Sequence, residues 1–408
     1  MKPYERLIKY AKFPTASDES NDACPSTEKQ LIFAKALESE LIQLGCTEVT
    51  LDKNCYLFAT IPASEGFENV PVIGFIAHMD VSPEVEDNGV NPQVINYSGG
   101  DIVLNEKLGI AMKESDFPIL KKYRGKTLVT TDGTTLLGAD DKAGIAEIIS
   151  AAEILISDKS KKHGKIRIGF TPDEEIGRGA DLFDVEKFGA KYAYTVDGAS
   201  FGEVDYETFN ASALRVTING KSIHPGDAKD KMINASIAAT EYIALLPPLE
   251  RPEHTCGYQG FYHLTGMEGN VEKATLHFIL RDHDMKKLEV RQEMARRAAD
   301  ELNRRYGENT VEIEIKESYR NMREKIEPEF HIVENAYKAV KSLGGVPVSN
   351  PVRGGTDGSR LSFMGLPCPN LGTGSHNHHG RFEFACAEEM DKCTELVVKI
   401  AEIYAQNR

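Results

Sequence analysis

Apolar positions in the first two hundred residues fall into short runs broken by polar turns. CYLFATIPA (55–63) and VPVIGFIAHM (70–79) read as strands, the second apolar almost throughout. KTLVTTDG (126–133), GKIRIGFTPDE (164–174) and KYAYTVDG (191–198) repeat the pattern. DDKAGIAEIISAAEILISD (140–158) has helical spacing instead, with Ile145, Ile148, Ile149 and Ala152 on one stripe. The start reads as a short amphipathic helix with Tyr4, Leu7, Ile8 and Ala11 on one face. Residues 82–126 show no period and are expected to form an irregular surface excursion. Strands alternating with helices predict an α/β fold, a mostly parallel sheet with helices on both faces.

The rhythm changes near residue 209. SALRVTING (212–220), the helical INASIAATEYIALLP (233–247), FYHLTGMEG (261–269), KATLHFILRD (273–282), the long helical KKLEVRQEMARRAADELNRRYG (286–307) and TVEIEIKES (310–318) follow in order. That order is β-α-β-β-α-β, a ferredoxin-like α+β domain complete in itself. Two further helices, 328–343 and 387–406, flank a GGTDG loop. The expected organisation is a catalytic domain of residues 1–208 and 321–408, with an inserted lid domain of 209–320.

Length agrees with two domains, since 408 residues exceed one compact core. A net charge of −15 argues against nucleic acid or an acidic membrane as partner. No apolar run is long enough to span a bilayer, and no secretory h-region follows the first residues. The seven cysteines form no CxxC pair. Dispersed and odd in number, they fit reduced, buried thiols and a cytoplasmic location.

The chemistry gathers where strands should end. His78 and Asp80 follow VIGFIA, Glu174 and Glu175 follow IRIGFTPD, and Asp197 follows YAYTV. Asp140 opens a helix after Gly138-Ala139, and His379 closes the cluster SHNHH. In an open α/β sheet the strand C-terminal ends share the edge where ligands bind. Each residue alone has an ordinary explanation: Asp140 a helix cap, Glu174-Glu175 a solvated acidic turn, His379 a surface histidine. Together they suit a metal site with a base beside it. Two adjacent carboxylates repel unless cations lie near, and neighbours pointing different ways allow one ligand and one base. His78 and Asp80, two apart on a strand, would point to one side, so that the Asp80 carboxylate orients the imidazole. His78, Asp140, Glu175, Asp197 and His379 provide enough donors for two ions if one carboxylate bridges. Oxygen-rich ligation with one imidazole per ion suits zinc, manganese or cobalt.

GFIAHMD, LLGADDKAG, TPDEEIG, TVDG, SIHPG, NMREK, RGGTDG and HHG, in this order, resemble the dizinc aminopeptidase, carboxypeptidase and deacylase family, and within it the tripeptide aminopeptidases. The resemblance runs the length of the chain. It implies two Zn2+ per subunit, with Mn2+ or Co2+ as substitutes. His78 and Asp197 would hold one ion, Glu175 and His379 the other, and Asp140 would bridge. It implies attack on the peptide carbonyl by a metal-bridging hydroxide, Glu174 as general base, and Asp80 orienting His78. His224 would stabilise the tetrahedral intermediate. Asn270 and Arg281 would bind the substrate near its terminal carboxylate, and Arg353 and Thr356 would bind it from the loop that closes over it. The partners implied are small peptides and, through the lid, a second copy of the chain. Histidines stand at 376 and 378, where this group is expected to carry tyrosines, and they could add a further metal contact. A dipeptidase, carboxypeptidase or N-acyl amino-acid deacylase of the same chemistry is the alternative, and a non-enzymatic metal-binding scaffold a more distant one.

Overall fold

The computed structural model describes residues 1–406. Helices α1 (Pro3–Tyr10) and α2 (Glu28–Leu44) precede strands β1 (Thr47–Leu51), β2 (Leu57–Ile61), β3 (Ile73–His78), β4 (Gln93–Tyr97), β5 (Ile102–Asn105), β6 (Ile110–Met112) and β7 (Lys126–Thr130). Helix α3 (Ala139–Ser157), β8 (Ile166–Thr171), α4 (Val185–Phe188), β9 (Tyr192–Gly198) and β10 (Val204–Asp205) follow. Then come β11 (Asn210–Asn219), α5 (Ala235–Leu245), β12 (Phe261–Gly269), β13 (Lys273–Asp282), α6 (Met285–Tyr306) and β14 (Val311–Tyr319). The last stretch holds α7 (Arg323–Ile326), α8 (His331–Ser342), α9 (Asp357–Phe363), β15 (Asn370–Gly372), β16 (Ser375–His376), β17 (Phe384–Cys386) and α10 (Ala387–Gln406). The chain divides into two compact units. One holds residues 1–206, 322–350 and 356 onward, the other 207–321 with 351–355.

The first unit is built on a seven-stranded sheet in the order β1-β2-β8-β3-β9-β15-β10. The four central strands, β8, β3, β9 and β15, run parallel. The outer pairings are antiparallel, so the expected parallel character is confined to the centre. Strands β3 and β8 are buried at every position, which is why both read as unbroken apolar runs. Helix α3 is buried on nearly all sides, and Ile145, Ile148, Ile149 and Ala152 belong to the main core. Gly144 lets this helix lie close to β9: a Cβ there would come within 1.9 Å of the Val196 carbonyl oxygen.

Residues 82–126 depart from the expected irregular excursion. They contribute β4 to a second, antiparallel sheet, β16-β17-β7-β4, and form the β5–β6 pair. Tyr97, Leu104, Met112, Leu120, Tyr123, Leu128 and Phe384 make a separate apolar core there. Strands of three to five residues are too short to carry a readable period.

The second unit has the ferredoxin-like order. Its antiparallel sheet runs β12-β13-β11-β14. Leu214, Val216 and Ile218 of β11 alternate inward, as do Leu276, Phe278 and Leu280 of β13. Tyr242 of α5 and Leu288, Ala295, Ala299 and Leu302 of α6 join the same core. Asp284 caps α6 by accepting from the Lys286 and Lys287 amides at 2.8 and 3.2 Å.

All seven cysteines are unpaired, and Cys46, Cys55, Cys368, Cys386 and Cys393 are buried. Among the described residues no helix is long and apolar enough to cross a membrane.

One buried group in α3 conflicts with its surroundings. Glu147 is fully buried, and neither carboxylate oxygen has a hydrogen-bond partner among the described residues. Burial, with Glu389 nearby, raises its pKa well above the ordinary 4.5. A carboxyl whose folded pKa is raised loses stability as pH climbs above its unfolded value. Glu147→Gln should therefore stabilise the chain by ~1–3 kcal/mol near pH 8, with the gain vanishing towards pH 4.5. Thermal unfolding across that range checks this; a gain independent of pH would contradict it.

Candidate metal centre

Parallel pairing brings the predicted residues to one sheet edge. Ile76 of β3 lies opposite Thr195 of β9, so His78 and Asp197, each two residues further on, are neighbours. The His78 Nε2 atom is 3.5 Å from Asp197 Oδ1 and 2.9 Å from Asp140 Oδ1. The other Asp140 oxygen, Oδ2, faces His379 Nε2 at 3.3 Å, and His379 Nε2 is 2.9 Å from Glu175 Oε2. Asp140 thus stands between two wings, His78 with Asp197 and His379 with Glu175. Donor atoms of His78, Asp140 and Glu175 lie within 4.8 Å of one another, as do those of His78, Asp141 and Asp197. Asp141 is engaged otherwise. Its oxygens accept from the backbone amides of His78 and Gly144, each at 3.2 Å, so it caps α3 and leaves Asp140 uncommitted as a cap.

Asp80 holds its neighbours through two different groups. Strand β3 ends at His78, so the alternation that would place both side chains on one side stops before Asp80. The His78 Nδ1 atom bonds the Asp80 backbone carbonyl at 3.0 Å, while the nearest carboxylate oxygen is 3.4 Å away. The carboxylate also accepts from the backbone amides of Glu174 and Glu175, at 2.9 and 3.1 Å. One residue therefore orients the imidazole through its main chain and the adjacent glutamates through its side chain.

The turn carrying those glutamates is held from both ends. Asp173, at φ 56°, accepts from the Ser26 amide at 2.7 Å and the Gln30 side chain at 2.6 Å. His379 and Asn377 also have positive φ, 59° each. That left-handed conformation costs an L-residue roughly 1–2 kcal/mol. The Asn377 amide meets part of this by donating to the Phe382 carbonyl at 3.1 Å.

Electrostatics separate the members. Burial raises Glu174 well above the ordinary range, with Asp197, Asp357 and Glu175 adding repulsion. Burial and Asp140 raise Glu175 to about 7, and burial raises Asp197 to about 6. Hydrogen bonds to Asp140 and Glu175 raise His379 to about 11. Burial pulls the His78 pKa down, but Asp197, Asp140 and Asp80 outweigh it and raise it well above the ordinary 6.5. Burial opposes ionisation of Asp140, yet the surrounding histidines keep it charged. Carboxylates thus outnumber the imidazoles that could neutralise them. Glu175 Oε1 is buried without a hydrogen-bond partner among the described residues. An oxygen-rich donor set with surplus buried negative charge and an unsatisfied ligand atom fits divalent cations.

Sequence reasoning missed Asp357. This residue opens α9 from the GGTDG loop, is buried, accepts from the Thr171 hydroxyl at 2.8 Å, and is raised to about 7 by burial. Asp357 stands on a glycine-rich loop rather than after an apolar run, so no strand-end signal marks it. The extra histidines divide. His376 bonds the Tyr123 hydroxyl. His378 places Nδ1 3.4 Å from Asp140 Oδ2 and Nε2 2.9 Å from the Ser375 hydroxyl. Lys142 donates to the Phe13 carbonyl at 2.8 Å and sits over the Phe33 ring, a structural position.

The remaining predicted residues have local partners. Thr356 caps α9, its hydroxyl accepting from the Ser359 amide at 3.3 Å. In the second unit, His224 Nδ1 accepts from the Gly226 amide at 3.2 Å, so the neutral ring carries its proton on Nε2. Asn270 Oδ1 accepts from the amides of Glu272 and Lys273 in the β12–β13 turn. The Arg353 guanidinium donates to the Gly257, Gln259 and Thr255 carbonyls and lies over the Phe209 and Phe261 rings. Those bonds make Arg353 the fastener of loop 255–259. Arg281 donates to the Arg353 carbonyl at 2.9 Å between the Phe261 and Tyr319 rings, and its buried Nε has no partner among the described residues.

A strand-end carboxylate–histidine cluster on a mixed α/β sheet marks a metal-dependent hydrolase, and comparison with known proteins specifies which. The profile of Peptidase family M20/M25/M40 matches residues 129–403, and the chain belongs to that family. Peptidase T of Caldanaerobacter subterraneus is 53% identical over 406 residues, covering 99% of each chain. The crystal structure of aminopeptidase PepT from Bacillus cereus superposes with a TM-score of 0.76 at 25% identity, over 99% of this chain and 98% of that one. A tripeptidase from Staphylococcus aureus shares the fold, with a TM-score of 0.79 at 21% identity over 99% and 98% of the two chains.

Asp80→Asn keeps the main-chain carbonyl at His78 but removes one acceptor from the Glu174–Glu175 amides. Activity should fall about 10–100-fold with an unchanged circular dichroism spectrum. Steady-state kinetics check this, and wild-type turnover would show that the carboxylate does not position the glutamates.

Proposed function

We propose that this chain is a dizinc aminopeptidase that removes the N-terminal residue from tripeptides in the cytoplasm. The observation that carries the reading is Asp140, shared between the His78–Asp197 and Glu175–His379 wings, beside the Glu174–Glu175 turn held by Asp80. The relatives called Peptidase T, matched at about half identity over nearly the whole length, support the substrate class.

His78 and Asp197 would hold one ion, Glu175 and His379 the other, and Asp140 both. Zinc in that position, or manganese or cobalt in its place, polarises a carbonyl and makes water acidic enough to act as a nucleophile at neutral pH. The protein's own part is acid–base and positional. Glu174, whose carboxylate burial makes a stronger proton acceptor, takes the proton of the attacking water and returns it to the leaving amine nitrogen. Asp80 holds the Glu174 amide so that base and ligand keep their separation. His224, with its proton on Nε2, is suited to donate to an oxyanion. Arg281, whose guanidinium bonds a carbonyl between two aromatic rings, is suited to a peptide's terminal carboxylate.

Metal analysis with a panel of peptides two to four residues long tests this reading. Tripeptides should be cleaved at the first bond, and a chelator should abolish cleavage until zinc is restored. Preference for dipeptides, C-terminal residues or N-acyl amino acids would move the chain to a sister activity of the same family. Glu174→Ala should lower kcat by at least ~10²-fold while two ions remain bound; near-normal turnover would remove Glu174 as the base.

A further inference from the structure

Glu383 is fully buried at the entry to β17 and lies outside the predicted site. Its Oε2 accepts from the Leu137 and Gly138 amides at 3.1 and 2.7 Å, and its Oε1 from the Asp140 amide at 2.9 Å. Three amides of the four-residue segment 137–140 therefore converge on one carboxylate. The segment is irregular. Gly138 has φ 73°, and a Cβ there would press on Val81 Cγ1 at 2.9 Å. Asp140 is itself non-helical, at φ −82° and ψ 105°, although it lies within the first residues of α3. Those amides find their acceptor in the Glu383 carboxylate, and a buried amide left unpaired is costly.

The carboxylate is anchored on its own side. The Glu383 amide bonds the Gly380 carbonyl at 3.1 Å, just after His379. The next residue, Phe384, pairs with Thr130 of β7, the strand that leads into segment 137–140. One side chain thus ties the loop bearing His379 to the loop bearing Asp140. Two oxygens serving three amide donors fix the loop in position and angle.

We propose that Glu383 is a positioning residue that sets the Asp140 carboxylate between the two wings by clamping the backbone of residues 137–140. This rests on Asp140 as the shared ligand, and the tests below separate the two claims. Glutamine at 383 would replace one acceptor oxygen with a donor facing amides. In metal-free protein, hydrogen exchange of the Leu137, Gly138 and Asp140 amides should be as slow as in β7, and Glu383→Gln should speed it at least tenfold. The same variant should bind cobalt or zinc, titrated into apo-protein, about 10–100-fold more weakly and lose kcat by a similar factor, with KM within twofold. Glu147→Gln, an equally buried change in α3, should leave exchange in this segment, metal affinity and kcat unaltered. Fast exchange in the metal-free wild type overturns the clamp whether or not the variant folds. So does a Glu383→Gln chain with wild-type metal affinity, or one whose loss of kcat only follows its loss of folded protein. Full metal affinity in Asp140→Asn would overturn the ligand reading alone, because exchange judges the clamp without metal.

Discussion

Concentrating negative charge at the buried edge of a sheet is the constraint on which this structure turns. Carboxylates leave water only at high cost unless they find donors or cations. The protein meets this by dividing them. Asp80, Asp141, Asp173 and Glu383 bind backbone amides and become part of the scaffold. Glu174, Glu175 and Asp197 make fewer such bonds and burial raises the pKa of each, while Asp140 is kept charged by the histidines around it. The first group holds the loops on which the second group stands. A carboxylate satisfied by amides is not available to a cation, so the division also says which residues can act.

The second unit uses its cations differently. Arg353 is engaged with carbonyls of loop 255–259, and its ring contacts bury the face of the guanidinium. Arg281 is only partly engaged, and its neighbours are aromatic rings rather than acids. The two arginines therefore have different physical standing. One stabilises a loop, and the other retains capacity for an anion.

Much of the architecture was legible because burial leaves a periodic trace. Strands β3, β8 and β9 and helix α3 announced themselves as apolar runs or stripes, and the β-α-β-β-α-β order of the second unit followed from alternation along β11 and β13. The segment 82–126 did not, since strands of three to five residues in a small separate core give too few repeats. Asp357 escaped for a related reason: a glycine-rich loop carries no pattern that says which side will be buried.

By itself the sequence determined which chemistry the protein could hold: acids and imidazoles at the ends of apolar runs, where an α/β sheet collects its strand termini. It could not determine what each acid does. His78 and Asp80 are two apart in the chain, yet β3 ends between them, and the Asp80 main-chain carbonyl joins its carboxylate at the His78 ring. Asp140 and Asp141 are adjacent and alike, and only the position of the His78 and Gly144 amides makes one a cap and leaves the other between two histidines. Ligand, base and brace are chemically the same carboxylate. Which it becomes depends on the donors that distant segments bring within 3 Å or so, and that proximity exists only once the chain has folded.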